Sequence, residues 1–508
     1  MKENVTLVKE KISADTQHWL VAILFSSFLT RIIYIGMKMP LWWDSHVYIG
    51  MGKYMFSAGK LGIWEMFRPL IHPFILGLSW WLGFQPLDAG KLLDVVFSLI
   101  AIWLVFLIGN EVWGKRVGLV SAALFSFTGL FMMFSGLVLT EPLGLVFMLF
   151  GVWLFFKERW FSAGLMFGMS FLTKFPFGLI VLALGVTLGS SIIWNRSIWK
   201  TEVNRASMIF FKVGSGFGII ALPYFILNYF LYGNALLPLL EGSAIISTYT
   251  WLYGGGWSFY FREFFASNII YLLIIPFGYY FITRKLYLNP QIRLLFFGFL
   301  IFFLYFEYVP RKELRYLVLG LPLLAIMVAY VIIEWYDHLR RTSHPIIKPN
   351  AFVFLCVVIV GASLPLPITF ERPPSFEIPI IDLTQAYNLS GLVLTTDPAP
   401  VSFLDNRIET LDGILYAPWI YEKYKQDYDL LYVNTCDLSC PLQNETCQRV
   451  QDDFIEKIQT ENVLNDTKTF KNCTYYLFIP ERISYANTYA NDIEDSTLES
   501  KNISGNIQ

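Results

Sequence analysis

Charge is scarce in this sequence of 508 residues. Asp, Glu, Lys and Arg make up only 15% of it, whereas soluble domains carry about a quarter. Hydrophobic residues account for 55% and aromatic residues for 18%. This balance indicates an integral membrane protein. The net charge is −1, and no basic stripe exists to neutralise phosphates, which argues against a nucleic-acid partner.

The motifs of nucleotide and hydrolytic zinc chemistry are also missing. There is no P-loop, no G-x-G-x-x-G after a strand, no H-E-x-x-H and no G-x-S-x-G. Only five histidines are present. These absences argue against a nucleotide-driven pump and against a membrane zinc protease.

Apolar runs that approach the roughly 20 residues needed to cross a bilayer recur through residues 1–368. Lys and Arg gather in the loops on the N-terminal side, as the positive-inside rule requires. We therefore predict an all-α multi-span membrane bundle of about eleven helices with a cytoplasmic N-terminus. The membrane would be the plasma membrane in a prokaryote or the endoplasmic reticulum in a eukaryote. The predicted spans are 18–39, 90–109, 117–135, 140–156, 161–174, 177–194, 208–230, 267–283, 294–309, 316–334 and 350–367, with 71–84 lying in the interface.

The composition changes after residue 368. Short buried strands are predicted near 391–396, 430–434 and 474–479, which indicates an extracytoplasmic α/β domain over 369–485. The polar end, 486–508, is predicted to be disordered. An even set of cysteines favours two disulfides with three pairings open, and a zinc site is the alternative. The cysteines are Cys436, Cys440, Cys447 and Cys473, and the glycosylation sequons begin at Asn388, Asn444, Asn465, Asn472 and Asn502.

Asp44 lies in an aromatic loop, Trp42-Trp43-Asp44-Ser45-His46-Val47-Tyr48, directly after the first predicted span. An unpaired carboxylate near hydrocarbon costs a few kcal/mol, so its position calls for a role. We interpret Asp44 as a general base that takes a proton from an acceptor hydroxyl, with Tyr48 close to the acceptor. The alternative is that Asp44 caps the helix that follows.

A second group of charges lies in Tyr308-Val-Pro-Arg-Lys-Glu-Leu-Arg-Tyr316, a loop predicted to face outward. Three cations there break the positive-inside pattern. Arg311, Lys312 and Arg315 could hold the phosphate of an anionic lipid, with Tyr316 beside the substrate. The alternative is snorkelling toward headgroups with Glu313 as partner.

Further polar residues are predicted on the same outward side. Glu141, in Thr140-Glu141-Pro142, either orients an acceptor or a metal, or only caps a helix. Lys174 is a further candidate for the donor phosphate, and Arg68 and His72 for the acceptor site. Arg31 lies deeper and is expected to pair with a carboxylate or to snorkel.

At these residues the chain resembles the GT-C superfamily of membrane glycosyltransferases. The similarity is greatest to the branch of the protein O-mannosyltransferases and the aminoarabinose transferase of lipid A. It covers residues 15–335, and its specificity lies in the order of several short motifs. These are Asp44, Arg68-Pro69, Thr140-Glu141-Pro142, Leu172-Thr173-Lys174 and Lys312-Glu313-Leu314-Arg315-Tyr316.

Two departures from the family pattern matter. Members often carry Asp-Glu in the first loop, whereas this chain has Asp44-Ser45. The missing acid leaves the need for a divalent metal open, and no other cofactor is indicated. The late loop is also similar to the His-Lys-Glu motif of lipid-linked mannosyltransferases, with Arg311 in place of His.

The resemblance implies a donor sugar, such as mannose, on a polyprenyl or dolichyl phosphate. The acceptor would be a hydroxyl of a protein, lipid or glycan on the outer face, and transfer would invert the anomeric carbon. Two other readings are a transporter or lipid flippase, which predicts charges near mid-span, and a non-catalytic scaffold, which leaves Asp44 and the outward cations unexplained.

Overall fold

A backbone in hydrocarbon must satisfy its own hydrogen bonds, so long apolar runs become helices. The computed structural model describes residues 2–36, 41–194, 199–247, 254–266, 268–342, 348–362, 376–411, 413–438, 440–441 and 444–483. Helices dominate this part of the chain up to residue 362. The predicted tail 486–508 and the sequon at Asn502 lie outside it.

Eighteen α-helices follow one another in the described residues. They are α1 Lys2–Gly36, α2 Trp43–Phe56, α3 Ile71–Trp81, α4 Pro86–Trp113, α5 Lys115–Ser126, α6 Gly129–Met133, α7 Thr140–Phe156, α8 Trp160–Thr173, α9 Leu179–Trp194, α10 Trp199–Tyr232, α11 Leu237–Ser247, α12 Ile274–Thr283, α13 Pro290–Tyr308, α14 Leu321–Arg341, α15 Pro349–Ala362, α16 Glu377–Ala386, α17 Ala417–Tyr424 and α18 Glu445–Glu461.

Within the described ranges, six helical segments are long and apolar enough to cross a membrane. They are Thr16–Gly36, Pro86–Trp113, Phe175–Trp194, Trp199–Tyr232, Pro290–Tyr308 and Leu321–Arg341. Four shorter apolar helices are Thr140–Phe156, Trp160–Thr173, Ile269–Thr283 and Pro349–Ala362. The prediction of a helical membrane bundle with a C-terminal α/β domain is confirmed. Helix α7 has the predicted bounds, and α4, α10 and α13 are longer than their predicted spans.

The predicted span 117–135 is two short helices. The chain breaks between α5 and α6 at Thr128, whose hydroxyl donates to the Leu124 carbonyl at 2.6 Å and contacts the Tyr271 hydroxyl at 2.5 Å. Such local side-chain bonds compete with the helical ladder. Hydropathy alone could not show this break, because Phe127-Thr128-Gly129 keeps the run apolar.

Two compact units can be described. The helical unit contains Met1–Met39, Met66–His72 and Asp88–Thr369. Its helices α8 and α10 approach closely at glycines: a Cβ on Gly164 would lie 2.1 Å from the Val213 carbonyl oxygen, and one on Gly216 2.2 Å from that of Phe161. Small residues at such crossings are how helices pack in lipid, where no hydrophobic force draws them together.

Arg31 in α1 neither pairs with a carboxylate nor snorkels, contrary to both expectations. Its side chain is fully buried. The guanidinium donates to the Ser27 hydroxyl at 2.5 Å and to the Ser126 carbonyl at 3.3 Å, and it lies 5.0 Å from the centre of the Phe131 ring. Neutral acceptors and an aromatic face therefore hold this cation between α1 and the α5–α6 break.

The sheet unit contains Pro40–Glu65, Pro73–Leu87 and Phe370–Gln508. Its five strands have the order β2-β1-β3-β5-β4; β1 runs parallel to β2 and β3, and β5 is antiparallel to β3 and β4. Leu394, Leu431 and Phe478 are fully buried in its core. The strands are β1 Leu392–Thr395, β2 Arg407–Thr410, β3 Tyr428–Asn434, β4 Asn462–Phe470 and β5 Cys473–Pro480.

The membership of the sheet unit differs from the sequence interpretation, which placed 40–65 and 73–87 in the transmembrane domain. The Gly62 N–H donates to the Asn406 carbonyl at 2.8 Å, and the Gln85 amide donates to the Ser402 carbonyl at 3.0 Å. These contacts join residues more than 300 positions apart in sequence, which local patterns cannot reveal.

The four C-terminal cysteines form two disulfides in the structure. Cys436 joins Cys473 with a Cα–Cα distance of 5.3 Å, and Cys440 joins Cys447 with 5.8 Å. One of the three open pairings is therefore present, and these four residues are not a zinc site. The Cys436–Cys473 bond links the end of β3 to the start of β5, across the antiparallel pair at the centre of the sheet.

The two disulfides should differ in their effect on stability. Chain entropy predicts a loss of about 4 kcal/mol for Cys436→Ser with Cys473→Ser, whose separation is 37 residues, and about 2.5 kcal/mol for Cys440→Ser with Cys447→Ser, separated by 7. The measurement is the urea concentration at which trypsin cleaves the β4–β5 hairpin of the full-length protein. Equal midpoints for the two pairs would contradict this order.

Candidate functional site

Glu313 is the centre of the loop between α13 and α14. Its carboxylate accepts from the Arg311 guanidinium, pairs with Arg315 Nε at 2.5 Å, and accepts the Tyr316 hydroxyl at 3.2 Å. The side chains of Glu313 and Arg315 are only 6% and 8% exposed. Snorkelling alone does not account for cations held this deep around one carboxylate, because a snorkelling head group reaches into water.

Lys312 makes different contacts from Arg311 and Arg315. Its ammonium donates to the Phe306 carbonyl at 2.9 Å and to the Glu307 carbonyl, and lies 3.5 Å from the Glu307 carboxylate. Its side chain is 3% exposed. A cation is favoured at the carbonyl end of a helix, so Lys312 holds the end of α13, and its three donors face the protein.

Glu141 and Lys174 form an ion pair in the helical unit. The Lys174 ammonium lies 2.5 Å from the Glu141 carboxylate, whose side chain is 1% exposed. Glu141 is the second residue of α7, and the N-cap is Leu139, so the alternative of Glu141 as a helix cap is wrong. Lys174 also lies 5.5 Å from the centre of the Tyr316 ring.

These contacts bring together residues that the sequence could only name separately. We call Glu141, Lys174, Arg311, Glu313, Arg315 and Tyr316 the charged cluster. Three cations face two carboxylates in it, which leaves a surplus of one positive charge. A buried cluster of this kind is costly unless each charge is paired, and an added anion would meet a net positive charge.

Asp94 is a buried polar residue that the sequence analysis overlooked. It lies in α4, is 1% exposed, and accepts the Val138 N–H at 2.7 Å. Val138 has a φ of +57° and Gly136 a φ of +129°, conformations that a branched residue such as valine rarely adopts. Asp94 thus fixes the turn that leads into Thr140-Glu141. The available signal was an acid inside an apolar run.

Asp44 belongs to the sheet unit and is half-buried. It is the second residue of α2, and the N-cap is Trp42, which makes no side-chain capping bond. The capping alternative for Asp44 is therefore wrong. A negative side chain in the first turn is nevertheless favoured by the helix dipole. Tyr48, one turn later, is 5% exposed.

Two side chains anchor α2 within the sheet unit. His46 Nδ1 lies 2.6 Å from the Ser402 hydroxyl, and the Lys53 ammonium lies 2.9 Å from the Asp405 carboxylate and 2.8 Å from the Leu404 carbonyl. Burial lowers the pKa of Lys53, and the bond to Asp405 opposes that shift. These contacts fix the helix whose first turn carries Asp44.

Arg68 and His72 lie in the helical unit. The Arg68 guanidinium is half-buried, 5.3 Å from the centre of the Phe67 ring. His72 is 2% exposed, and burial lowers the pKa of its imidazole to about 3. The ring is therefore neutral at pH 7, so His72 cannot attract an anion as a cation would.

The divalent metal left open by the sequence finds no ligand set in the described part of the chain. There, no three side chains of His, Cys, Asp or Glu converge in a way that could hold a metal ion.

The protein matches one family over part of its length and resembles several solved structures. Residues 67–215 match the dolichyl-phosphate-mannose-protein mannosyltransferase family. ArnT from Cupriavidus metallidurans, bound to undecaprenyl phosphate, has a TM-score of 0.62 at 13% identity over 91% of this chain and 98% of its own. No curated protein sequence matches.

The oligosaccharyltransferase of Archaeoglobus fulgidus in its apo form is also similar. Its TM-score is 0.57 at 10% identity, over 82% of this chain and 70% of its own. AglB from the same organism, with an inhibitory peptide and a dolichol-phosphate, gives 0.52 at 10% identity, over 92% and 77%. These structures share the fold of the chain, and the family match over residues 67–215 agrees with the predicted GT-C resemblance.

Removing the Asp94 carboxylate should destabilise the turn before α7. Asp94→Ala leaves the Val138 N–H buried without its acceptor, and we expect a loss of about 2 kcal/mol in unfolding free energy. Asp88→Ala, which removes an exposed acid from the first turn of the same helix, is the control and should cost less, about 0.5 kcal/mol from the helix dipole. Thermal unfolding in detergent measures both; equal melting temperatures would remove Asp94 from this role.

Proposed function

We propose that the protein transfers a sugar, a hexose such as mannose, from a polyprenyl or dolichyl phosphate to a hydroxyl of a protein, lipid or glycan. The observation that carries this proposal is the surplus positive charge of the charged cluster. The ligands bound in similar structures support it: undecaprenyl phosphate with ArnT and a dolichol-phosphate with AglB. The matching family is likewise described by dolichyl-phosphate-mannose.

The leaving group explains why cations are needed. When the bond from the anomeric carbon to the phosphate oxygen breaks, its electron pair stays on the lipid phosphate as negative charge. Cations placed for that charge stabilise the transition state. We assign Arg311 and Arg315 to this role, with Lys174 beside them, and we assign Lys312 to the end of α13.

Glu141 is proposed to position Lys174 and not to contact the acceptor. Its carboxylate is 1% exposed and already engaged by the ammonium. Lys174 in turn faces the Tyr316 ring, so Glu141 would fix the ammonium with respect to the loop of the arginines. Arg68, His72, Tyr48 and Tyr316 remain candidates for the walls of the substrate site.

Asp44 is proposed as the general base. It would accept the proton of the acceptor hydroxyl while that oxygen attacks the anomeric carbon from the side opposite the phosphate. Because phosphate leaves as an anion, no general acid is required, unlike in glycosidases, which use two carboxylates. A single displacement of this kind inverts the anomeric carbon.

The protein is an integral membrane protein, and its orientation is part of the proposal. The disulfides favour an oxidising compartment for the sheet unit. The sequon asparagines Asn388, Asn444, Asn465 and Asn472 are all exposed, as glycosylation would require. We therefore place the sheet unit outside and the N-terminus in the cytoplasm.

The test of Asp44 is the loss of sugar transfer. Asp44→Asn keeps the size of the side chain and removes the base, so transfer should fall by about 100-fold or more with donor binding retained. Turnover with purified dolichyl-phosphate mannose and a membrane acceptor fraction measures it. Asp382→Asn, an exposed acid of α16 in the same unit, is the control. Normal turnover of Asp44→Asn would exclude the residue as the base.

Arg315 should act mainly through the donor. Arg315→Ala removes the surplus charge, and we expect donor affinity to fall by about tenfold or more, as for a charged hydrogen bond. Arg315→Lys keeps the charge but not the planar guanidinium that can bind a phosphate through two N–H groups, so it should recover part of the lost donor affinity. Arg159→Ala is the control, because Arg159 is an exposed cation outside the cluster. Unchanged donor affinity in Arg315→Ala would argue that the arginines only stabilise the loop.

A further inference from the structure

An apolar groove lies within the helical unit, away from the charged cluster in sequence. Helices α5, α14 and α15 border an open groove with a volume of about 660 Å³. Its lining includes Arg116 and Tyr336, Ala123 and Cys356, and Phe127; Arg116 and Phe127 are the first and last of these residues along α5 and its C-terminal end. We call it the apolar groove.

The groove is shaped for hydrocarbon and not for water. Its lining is almost entirely apolar, and a buried water needs two to four polar partners. An empty space of this size would forfeit the dispersion contacts of every wall. From Arg116 to Phe127 the helix rises roughly 16 Å at 1.5 Å per residue, close to half of the roughly 30 Å hydrocarbon core. The groove therefore has the length of one leaflet.

The wall formed by α15 is otherwise poorly covered. Phe352 is the one buried residue in this helix, whereas Val353 and Val357, which line the groove, are 45% and 64% exposed. A chain lying in the groove would add contacts between α15 and the two other helices. The occupant would thus hold α15 in place.

The mouth of the groove is strongly basic. Arg116 at the start of α5 and Arg340 at the end of α14 lie at the ring of Tyr336, which lines the groove, and Lys115 and Arg341 are their neighbours in sequence, against the one carboxylate of Asp337. Asp337 accepts from Arg116 at 2.9 and 3.0 Å. Three positive charges remain in surplus, and such clusters attract anionic lipid headgroups.

Tyr336 brings two of these cations to the same point. Its ring centre lies 5.5 Å from the Arg116 guanidinium and 6.0 Å from that of Arg340, and Tyr336 itself lines the groove. The two guanidinium groups therefore flank the entrance. A phosphate there would meet both, while its acyl chain continues between the helices.

We propose that the apolar groove binds an anionic phospholipid, with one acyl chain between α5, α14 and α15 and the headgroup phosphate at Arg116 and Arg340. The site is separate from the proposed donor site and does not depend on the proposed function. Its role is to fix α15, the last helix before the sequence enters the sheet unit.

Photo-crosslinking in vesicles tests the site directly. The full-length protein is placed in phosphatidylcholine vesicles with a trace of phosphatidylglycerol that carries a diazirine on its acyl chain, and labelled peptides are mapped by mass spectrometry. We expect label on α15 around Cys356 and on α5 around Ala123. Unlabelled phosphatidylglycerol should compete about fivefold better than phosphatidylcholine for each cation engaged.

Three variants locate the occupant. Ala123→Phe fills the groove and should abolish the label around Cys356. Arg116→Gln with Arg340→Gln should remove the preference for phosphatidylglycerol and keep the groove open. Arg159→Gln with Lys200→Gln removes two exposed cations outside the mouth and should leave labelling unchanged. Melting temperatures in detergent confirm that each variant is folded, and a substitute at residue 123, Ala123→Leu, serves if the phenylalanine unfolds the protein.

The outcomes separate the proposal from its rivals. Label spread evenly over all lipid-facing helices, or equal competition by the two phospholipids, would overturn it. Stronger competition by undecaprenyl phosphate than by phosphatidylglycerol would show a polyprenyl occupant and would also overturn it. Loss of sugar transfer in Asp44→Asn leaves this site unaffected, so the two proposals can fail independently.

Discussion

The cost of placing charge beside hydrocarbon governs the arrangement of this protein. In the helical unit, Glu141 is fully engaged by Lys174, and Glu313 holds two arginines and a tyrosine hydroxyl. Both of these carboxylates are buried together with cations. The charged cluster has one more positive than negative charge, and an anionic donor would neutralise that charge.

The same constraint has other solutions elsewhere in the helical unit. Arg31 is held by a serine hydroxyl, a carbonyl and a phenyl ring, and Asp94 by a backbone N–H in a left-handed turn. Neither uses an ion pair. Arg31 and Asp94 stabilise the local backbone geometry. The charged cluster differs from them because it has an excess positive charge, which is what an anion-binding site requires.

Sequence patterns predicted the parts of this protein that depend on local order. Hydropathy located the apolar helices, and the short buried runs located β1, β3 and β5. The strands β2 and β4 were missed, because Arg407–Thr410 and Asn462–Phe470 are rich in polar residues. Contacts over long separations, such as Lys53 with Asp405, leave no trace in periodicity. The pairing of Glu141 with Lys174 could not be predicted for the same reason, although both residues were named.

The family match, over residues 67–215, includes Glu141 and Lys174 but neither Asp44 nor the arginines Arg311 and Arg315. The roles of Asp44 and of these arginines therefore rest on chemistry alone.

The anchoring of α2 determines which truncations and hybrids of this protein can keep the helix of Asp44 in place. Its His46 and Lys53 are bound by Ser402, Leu404 and Asp405, so the helix of Asp44 shares one compact unit with the C-terminal strands. Truncation after the last membrane helix would strip α2 of its supports and is thus no clean probe of acceptor recognition. Hybrid enzymes that exchange C-terminal regions between relatives would have to exchange the loop of Asp44 along with them. Recombination in evolution faces the same rule: an exchange that keeps α2 anchored has to carry both distant stretches together.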